Sequence, residues 1–274
     1  MTHLLIIGPG YSASRIGLAA AHEGARISHV TRHDLDDADF VTHAVQRASH
    51  ILSSVPPGED GDPVLRRYGS LLASAPALWI GYLSSTGVYG DSKGAWVDES
   101  APLAGRRSAR LDADRAWADL HRATRIFRLP GIYGPGRSAL DRVRAGQAHR
   151  IDAAGQVFSR VHVDDIASAV LASMKRGLAG AYNVADDEPA PQAEVVRHAA
   201  LLLGLSVPPL QSLEDARLSP AARAFYGENR RIANGRARRL LGWRPRFPDF
   251  RAGLRHCLAA EAGVEMPPPP PTGG

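Results

Sequence analysis

Cysteine, lysine and long apolar runs are all scarce in this chain of 274 residues. Its one cysteine, Cys257, cannot close an internal disulfide and belongs to no Cys/His spacing of a metal cluster. No metal is therefore expected, and a reducing, cytoplasmic setting fits best. Lysine occurs only as Lys93 and Lys175 among 33 basic residues, so the positive charge is nearly all arginine and a catalytic lysine has two possible addresses. No window approaches the roughly 18 apolar residues of a membrane span. The opening "MTHLLIIGPG" lacks a basic leader and reads as a buried strand, not a signal peptide, so no membrane partner is expected. A formal charge of +5 is spread along the chain and interleaved with Asp and Glu, which argues against a nucleic-acid surface.

Apolar residues make up 44%, enough for one large core or a core with an appended lobe. Strand-like runs recur at 4–8, 26–30, 50–55, 79–84, 125–129 and 181–185. Helical patterns lie between them, at 38–49, 63–75 and 108–121. In the first, Phe40, Val41, Ala44, Val45 and Ala48 share one face. Alternation of this kind predicts an α/β fold, a doubly wound parallel sheet of Rossmann type. A further helix is expected to open at "DDIASAVLASM", with Asp164 or Asp165 as its cap. Past residue 188 the strand rhythm gives way to helical segments. The expected organisation is a core over 1–187, a smaller, mostly helical substrate lobe over 188–264 joined by 135–157, and a disordered proline-rich tail over 265–274.

"IIGPGYSASRIG" places Gly8, Gly10 and Ala13 as Gly-x-Gly-x-x-Ala between the first strand and a helix. Gly8 permits the tight turn, Gly10 lets backbone approach a pyrophosphate, and Ala13 allows close helix–strand packing. Helix N-terminal amides would then face the anion. Beyond the second strand come Thr31 and Arg32 where an acidic residue would read a ribose hydroxyl. A guanidinium can clamp a 2′-phosphate, so NADP is favoured; Asp34, in a tighter turn, would favour NAD.

Several segments together are similar to the extended or atypical short-chain dehydrogenase/reductases grouped with NAD-dependent epimerases and dehydratases, in a bacterial NAD(P)-dependent oxidoreductase branch. They are "GPGYSAS" (8–14), "SSVPP" (53–57), "YLSSTGVYGD" (82–91), "FRLPGIYGPGR" (127–137), "VHVDDIASAV" (161–170), "YNVADDEP" (182–189) and "NRRIANGRARRLLGWRP" (229–245). The resemblance implies a small polar or sugar-derived substrate and a cofactor lined by Gly8, Gly10, Tyr11, Ser12, Ala13, Thr31, Arg32, Ser54, Val55, Pro56, Ser84, Pro130 and Gly131. It makes Ser85 the catalytic hydroxyl that aligns a substrate oxygen. Such proteins often dimerise through helices flanking the sheet, which leaves a homodimer open.

"SSTGVYGDSKGAW" contains Tyr89 and Lys93 in Tyr-x-x-x-Lys spacing, but Gly87, Gly90 and Gly94 interrupt any helix there. The resemblance puts the working pair on the next helix, where Arg106 and Arg110 stand in the tyrosine and lysine positions. Arginine can hold a ribose hydroxyl but cannot serve as an ordinary proton donor at neutral pH. Tyr89 and Tyr133 are the remaining candidate donors. Arg137 and Arg230 are candidates for an anionic substrate group, and His162 reads as a packed strand residue. An oxidoreductase or epimerase-like enzyme is expected; the alternative is a catalytically silent NADP(H) sensor.

Overall fold

The computed structural model describes residues 1–264; the expected tail, 265–274, lies outside the described residues. Six strands form one parallel sheet: β1 (His3–Ile7), β2 (Arg26–Val30), β3 (His50–Ser53), β4 (Trp79–Ser85), β6 (Thr124–Leu129) and β10 (Gly180–Asn183). Their order is β10-β6-β4-β3-β1-β2. The chain turns outward from β1 to β2 and then crosses to β3 on the other side. The crevice at the carboxyl ends of β1 and β3 is therefore the topological switch point, where open sheets of this kind take ligands.

Helix α1 (Tyr11–His22) and α6 (Val163–Lys175) cover one face, while α2 (Ala38–Arg47), α3 (Pro63–Ala73) and α4 (Ser108–Leu120) cover the other. The central strands β1, β3 and β4 are mostly apolar because both faces are buried. Leu4, Leu5, Ile6 and Ile7 are all fully inaccessible. Gly17 lets α1 pack closely on β1: a Cβ there would lie 2.8 Å from Ile6 Cδ1. Ala13 packs into the same buried cluster.

A third cluster joins Tyr133 of β7 (Gly131–Tyr133) and α5 (Ala139–Arg144) to α7 (Gln192–Leu202) and α10 (Phe250–Glu261). Short parallel pairs tie this region together: β7 with β9 (Arg160–His162), β8 (Arg150–Ile151) with β11 (Leu210–Gln211), and β5 (Trp96–Val97) with β12 (Arg231–Ile232). The remaining helices are α8 (Pro220–Phe225) and α9 (Gly235–Leu241).

Two local expectations differ from the structure. Phe40 points outward, 44% exposed, while Val41 and Val45 carry the buried face of α2. Neither Asp164 nor Asp165 caps α6. The cap is His162, whose Nδ1 accepts from the Asp164 amide at 3.2 Å. Asp165 is thereby released to accept from the Arg246 and Phe247 amides, at 2.6 and 3.1 Å, and Asp164 pairs with Arg15.

Candidate active site

At the switch point, Gly8 has φ +79°, and a Cβ on it would sit 2.6 Å from Val55 Cγ2. Only glycine turns the chain this closely under the β3 loop. The loop is pinned there by Ser54, whose amide donates to Ile7 O at 3.0 Å and whose hydroxyl donates to Gly8 O. Gly10, by contrast, is extended, has φ −90°, and shows no heavy atom within 4 Å of its Cβ position. It opens α1 without a side-chain cap, so the leading amides of a twelve-residue helix face that open space. Ser12 and Ala13 are buried on the inner side of the same turn. These residues fit a pyrophosphate: an open backbone face beside uncapped amides.

Tyr11 does not point into this space. Its hydroxyl donates to Pro135 O at 3.0 Å, and the Arg137 guanidinium lies 5.6 Å over its ring. Burial pushes the phenol up to about 12. The ring thus joins the phosphate turn to the loop after β7. At the end of β2, Thr31 donates through both amide and hydroxyl to Asp34 Oδ2, each at 2.7 Å; the two bonds from Thr31 hold that carboxyl below its usual range. Arg32 is exposed and makes no hydrogen bond or ion pair among the described residues. Pro56 is exposed beyond Val55.

The end of β4 carries two serines on opposite faces, as strand geometry requires. Ser84 turns away from the crevice and donates to Asp114 Oδ2 at 2.6 Å, so its hydroxyl is spent supporting the strand, where the sequence pattern put it at the cofactor. Ser85 caps the 3-10 turn Thr86–Tyr89, accepting from the Gly87 amide at 3.1 Å. Its own proton has no acceptor among the described residues. Pro130 and Gly131 follow Leu129, the register partner of Ser85, so they reach the same sheet edge.

Tyr89 sits in a buried network. Its hydroxyl donates to Asn183 Oδ1 at 2.7 Å and accepts from Arg128 Nη1 at 3.0 Å, while Arg128 grips Asp114 through Nη2 at 2.7 Å. Burial raises the phenol's pKa further. A hydroxyl committed on both sides and sealed from solvent does not suit a proton donor. Tyr133 is equally removed: its ring packs edge-on against His162, 5.3 Å between centroids, in the cluster with α7 and α10, and burial raises its hydroxyl well above the ordinary value. Both tyrosines are scaffold where the sequence suggested donors. Lys93 is exposed in a loop with φ +53°, not one helical turn from Tyr89.

Arg106 lies before α4, which begins at Ser108, and turns to the other end of the chain. Its Nε donates to Glu228 Oε1 at 2.7 Å and its Nη2 to Ala224 O at 2.9 Å. Arg110 is on the helix, half-buried near Tyr82, with no hydrogen bond or ion pair among the described residues. The two arginines therefore do not form a side-by-side pair. Sequence reading missed Asp114, whose signal was an acid four residues after Arg110 on the sheet-facing side, and Glu228, for which no local signal exists.

Among the described residues, His162, Asp164 and His256 bring metal-type donor atoms together. His162 Nδ1 is spent as the α6 cap, which leaves its proton on Nε2, directed at His256 Nδ1 3.3 Å away. That atom has no lone pair to offer a metal. Burial pushes His162 down to about 3 and Cys257, 3.7 Å from the same nitrogen, up to about 12. The group is a packing contact where α6 meets α10, with His162 neutral and the Asp164 carboxylate held by Arg15.

No protein-family model matches the chain. A solved structure from Silicibacter pomeroyi, of a functionally unknown conserved protein, shares 40% identity over 97% of this chain and 100% of its own, with a TM-score of 0.87. The chain belongs to that protein's family, and its fold is that of the epimerase/dehydratase short-chain dehydrogenase/reductases. The latter likeness rests on a Methylobacillus flagellatus structure described as an NAD-dependent epimerase/dehydratase, at 23% identity over 95% of this chain and 99% of that one, TM-score 0.70. A curated Streptomyces protein, 3-diazoavenalumate denitrifying reductase, is 35% identical over 178 residues, 58% of either chain. The match thus spans just over half the length of that relative. No described helix of this family member is long and apolar enough to cross a membrane.

Proposed function

We propose that the protein is an NADP-dependent reductase that delivers hydride to a small electrophilic substrate without a side-chain proton donor. The observation that carries this reading is the state of the three positions where a donor was expected: Arg106 is tied to Glu228, and the hydroxyls of Tyr89 and Tyr133 are buried. When bound, the nicotinamide supplies the hydride. The amides opening α1, exposed beside Gly10, would hold the pyrophosphate, and unpaired Arg32 would meet the 2′-phosphate. Other solved structures of this fold support a dinucleotide, one with NAD and one with NADPH. Ser85, with its proton uncommitted, would orient a substrate acceptor atom at the sheet edge, and the segments 135–157 and 188–264 would close over it.

Reduction of an ordinary ketone needs both hydride and a proton for the nascent alkoxide. A substrate that expels a neutral leaving group does not. At a diazonium carbon, the new C–H bond replaces the C–N bond, whose electron pair departs with N2, and no proton has to be delivered. The Streptomyces relative is named for a denitrifying reduction, which supports this substrate class. The test uses NADPH deuterated at the transferable position, with an aryl diazonium salt, aldehydes, ketones and nucleotide sugars as the panel. Enzyme-dependent turnover that places deuterium on the carbon that lost nitrogen, and falls in Ser85→Ala, is expected. Tight NADPH binding with no turnover across the panel would instead establish the silent sensor.

A further inference from the structure

The residue in the family's tyrosine position has been redirected, and its destination defines a second feature of the same site. Arg106 holds one oxygen of Glu228, Oε1 at 2.7 Å; the other, Oε2, accepts from Arg230 Nη1 at 2.6 Å. The same Nη1 donates to Gly90 O at 2.7 Å, which uses both of its hydrogens. The arginine is thereby clamped from two directions while its Nη2 makes no hydrogen bond among the described residues. Where that nitrogen points is shown by Gly87. The space a Cβ would occupy there lies 3.3 Å from Ser85 Oγ and 3.9 Å from Arg230 Nη2, and no other heavy atom comes within 4 Å.

A free guanidinium nitrogen and an uncommitted serine hydroxyl thus converge on a bare stretch of backbone. Around it, Arg106 and Arg230 contribute two positive charges and Glu228 one negative, while the nearby Asp91 carboxylate is taken up by the Asn229 and Lys93 amides. Burial would raise Glu228, but the bonds from Arg106 and Arg230 outweigh it and keep the carboxyl below its usual range. The side chain of Arg230 is only 17% exposed, and a partly desolvated, pre-positioned guanidinium binds anions better than a mobile surface one. The backbone bridge partner of Arg230 is Phe158, whose ring meets Tyr226 edge-on at 5.3 Å.

We propose that Arg230, positioned by Arg106 and Glu228, forms a subsite for an anionic group of the substrate, a carboxylate or a phosphate, beside Ser85. The proposal rests on the reading of Ser85 as the reaction edge and adds the substrate's charge to it. Replacement of the tyrosine by arginine then exchanges a proton donor for a support of substrate recognition.

The test is calorimetric titration of the full-length protein, with and without saturating NADPH, using cinnamate, phenyl phosphate and cinnamamide as probes. At least one anion is expected to bind about tenfold or more tightly than the neutral amide, and the better anion identifies the class. Arg230→Gln is expected to erase the preference while NADPH affinity is kept, and Glu228→Gln to weaken it. Should Arg230→Gln fail to fold, Gly87→Ala, which places a methyl 3.3 Å from Ser85 Oγ and 3.9 Å from Arg230 Nη2, is expected to weaken both anions. An amide that binds as well as the anions, anions that do not bind at millimolar concentration, or a preference that survives in Arg230→Gln would overturn the proposal. Absence of NADPH binding would overturn the reductase reading alone, because anion preference is scored separately in the cofactor-free titration.

Discussion

The two glycines of the opening turn should respond to the same substitution in opposite ways. Gly8→Ala must place an L-residue at φ +79°, at about 1–2 kcal/mol. It also drives a methyl to within 2.6 Å of Val55 Cγ2, at about 1–3 kcal/mol more for the displaced side chain. The sum, roughly 2–5 kcal/mol, corresponds to a fall in Tm of roughly 3–9 °C for a chain of this size. Gly10→Ala meets no strain, since φ is −90° and the Cβ position is open. The poorer helix cap and the stiffer unfolded chain nearly offset, leaving Tm within a few degrees. The same methyl, however, projects into the space assigned to the pyrophosphate. Loss of two charge-assisted amide bonds at about 1.5–3 kcal/mol each weakens NADPH more than about 100-fold. Thermal melting and fluorescence titration of the two variants separate stability from binding. Unimpaired NADPH affinity in Gly10→Ala, within a factor of about three, would refute the cradle and everything built on it.

Arg32→Ala should weaken NADPH about 10–100-fold and leave NADH nearly unchanged, measured by the same titration, because only the 2′-phosphate meets the guanidinium. Asp114→Ala strands the Arg128 guanidinium, whose side chain is 7% exposed, and should cost about 3–5 kcal/mol in urea unfolding. His162 is held neutral, chiefly by burial, with its pKa lowered to about 3 despite the opposing charge of Asp164; His256, Arg15 and Arg246 add to the lowering. The unfolded chain therefore binds the extra proton first, and stability is lost as pH falls below the usual imidazole value toward 3. Between pH 7 and 5 the wild type should lose about 2 kcal/mol more than His162→Asn, which keeps a capping oxygen but does not titrate. Equal slopes in urea unfolding at the two pH values would refute this assignment.

Much of the frame was legible because its signals are local. A four-residue apolar strand followed by Gly-x-Gly can be read in a dozen positions, and alternating strands and helices admit few topologies. Helix ends were less legible. The α6 cap went to His162 because an imidazole nitrogen competed successfully with two aspartates that had better partners elsewhere. The proposed reaction edge was least legible. Tyr89 and Tyr133 look alike in sequence to hydroxyls that work in solvent, and only the packing of Asn183, Arg128 and the α10 helix around them removes them. The Arg106–Glu228 contact joins residues 122 positions apart, and no pattern within a window of sequence reports such a pair.

The ladder between β5 and β12 has a consequence for the order in which the molecule is made. The Asn229 carbonyl receives the amides of Ser92 and Gly94, Arg231 N donates to Ala95 O, and Ala233 N donates to Val97 O. On the ribosome the whole parallel sheet can be complete once residue 183 has emerged, yet the loop over residues 90–97 still waits for partners more than a hundred residues behind it. The glycine turn after β1 thus matures early in synthesis and the proposed reaction edge late, so a nascent or truncated chain ending before Glu228 would carry the first without the second.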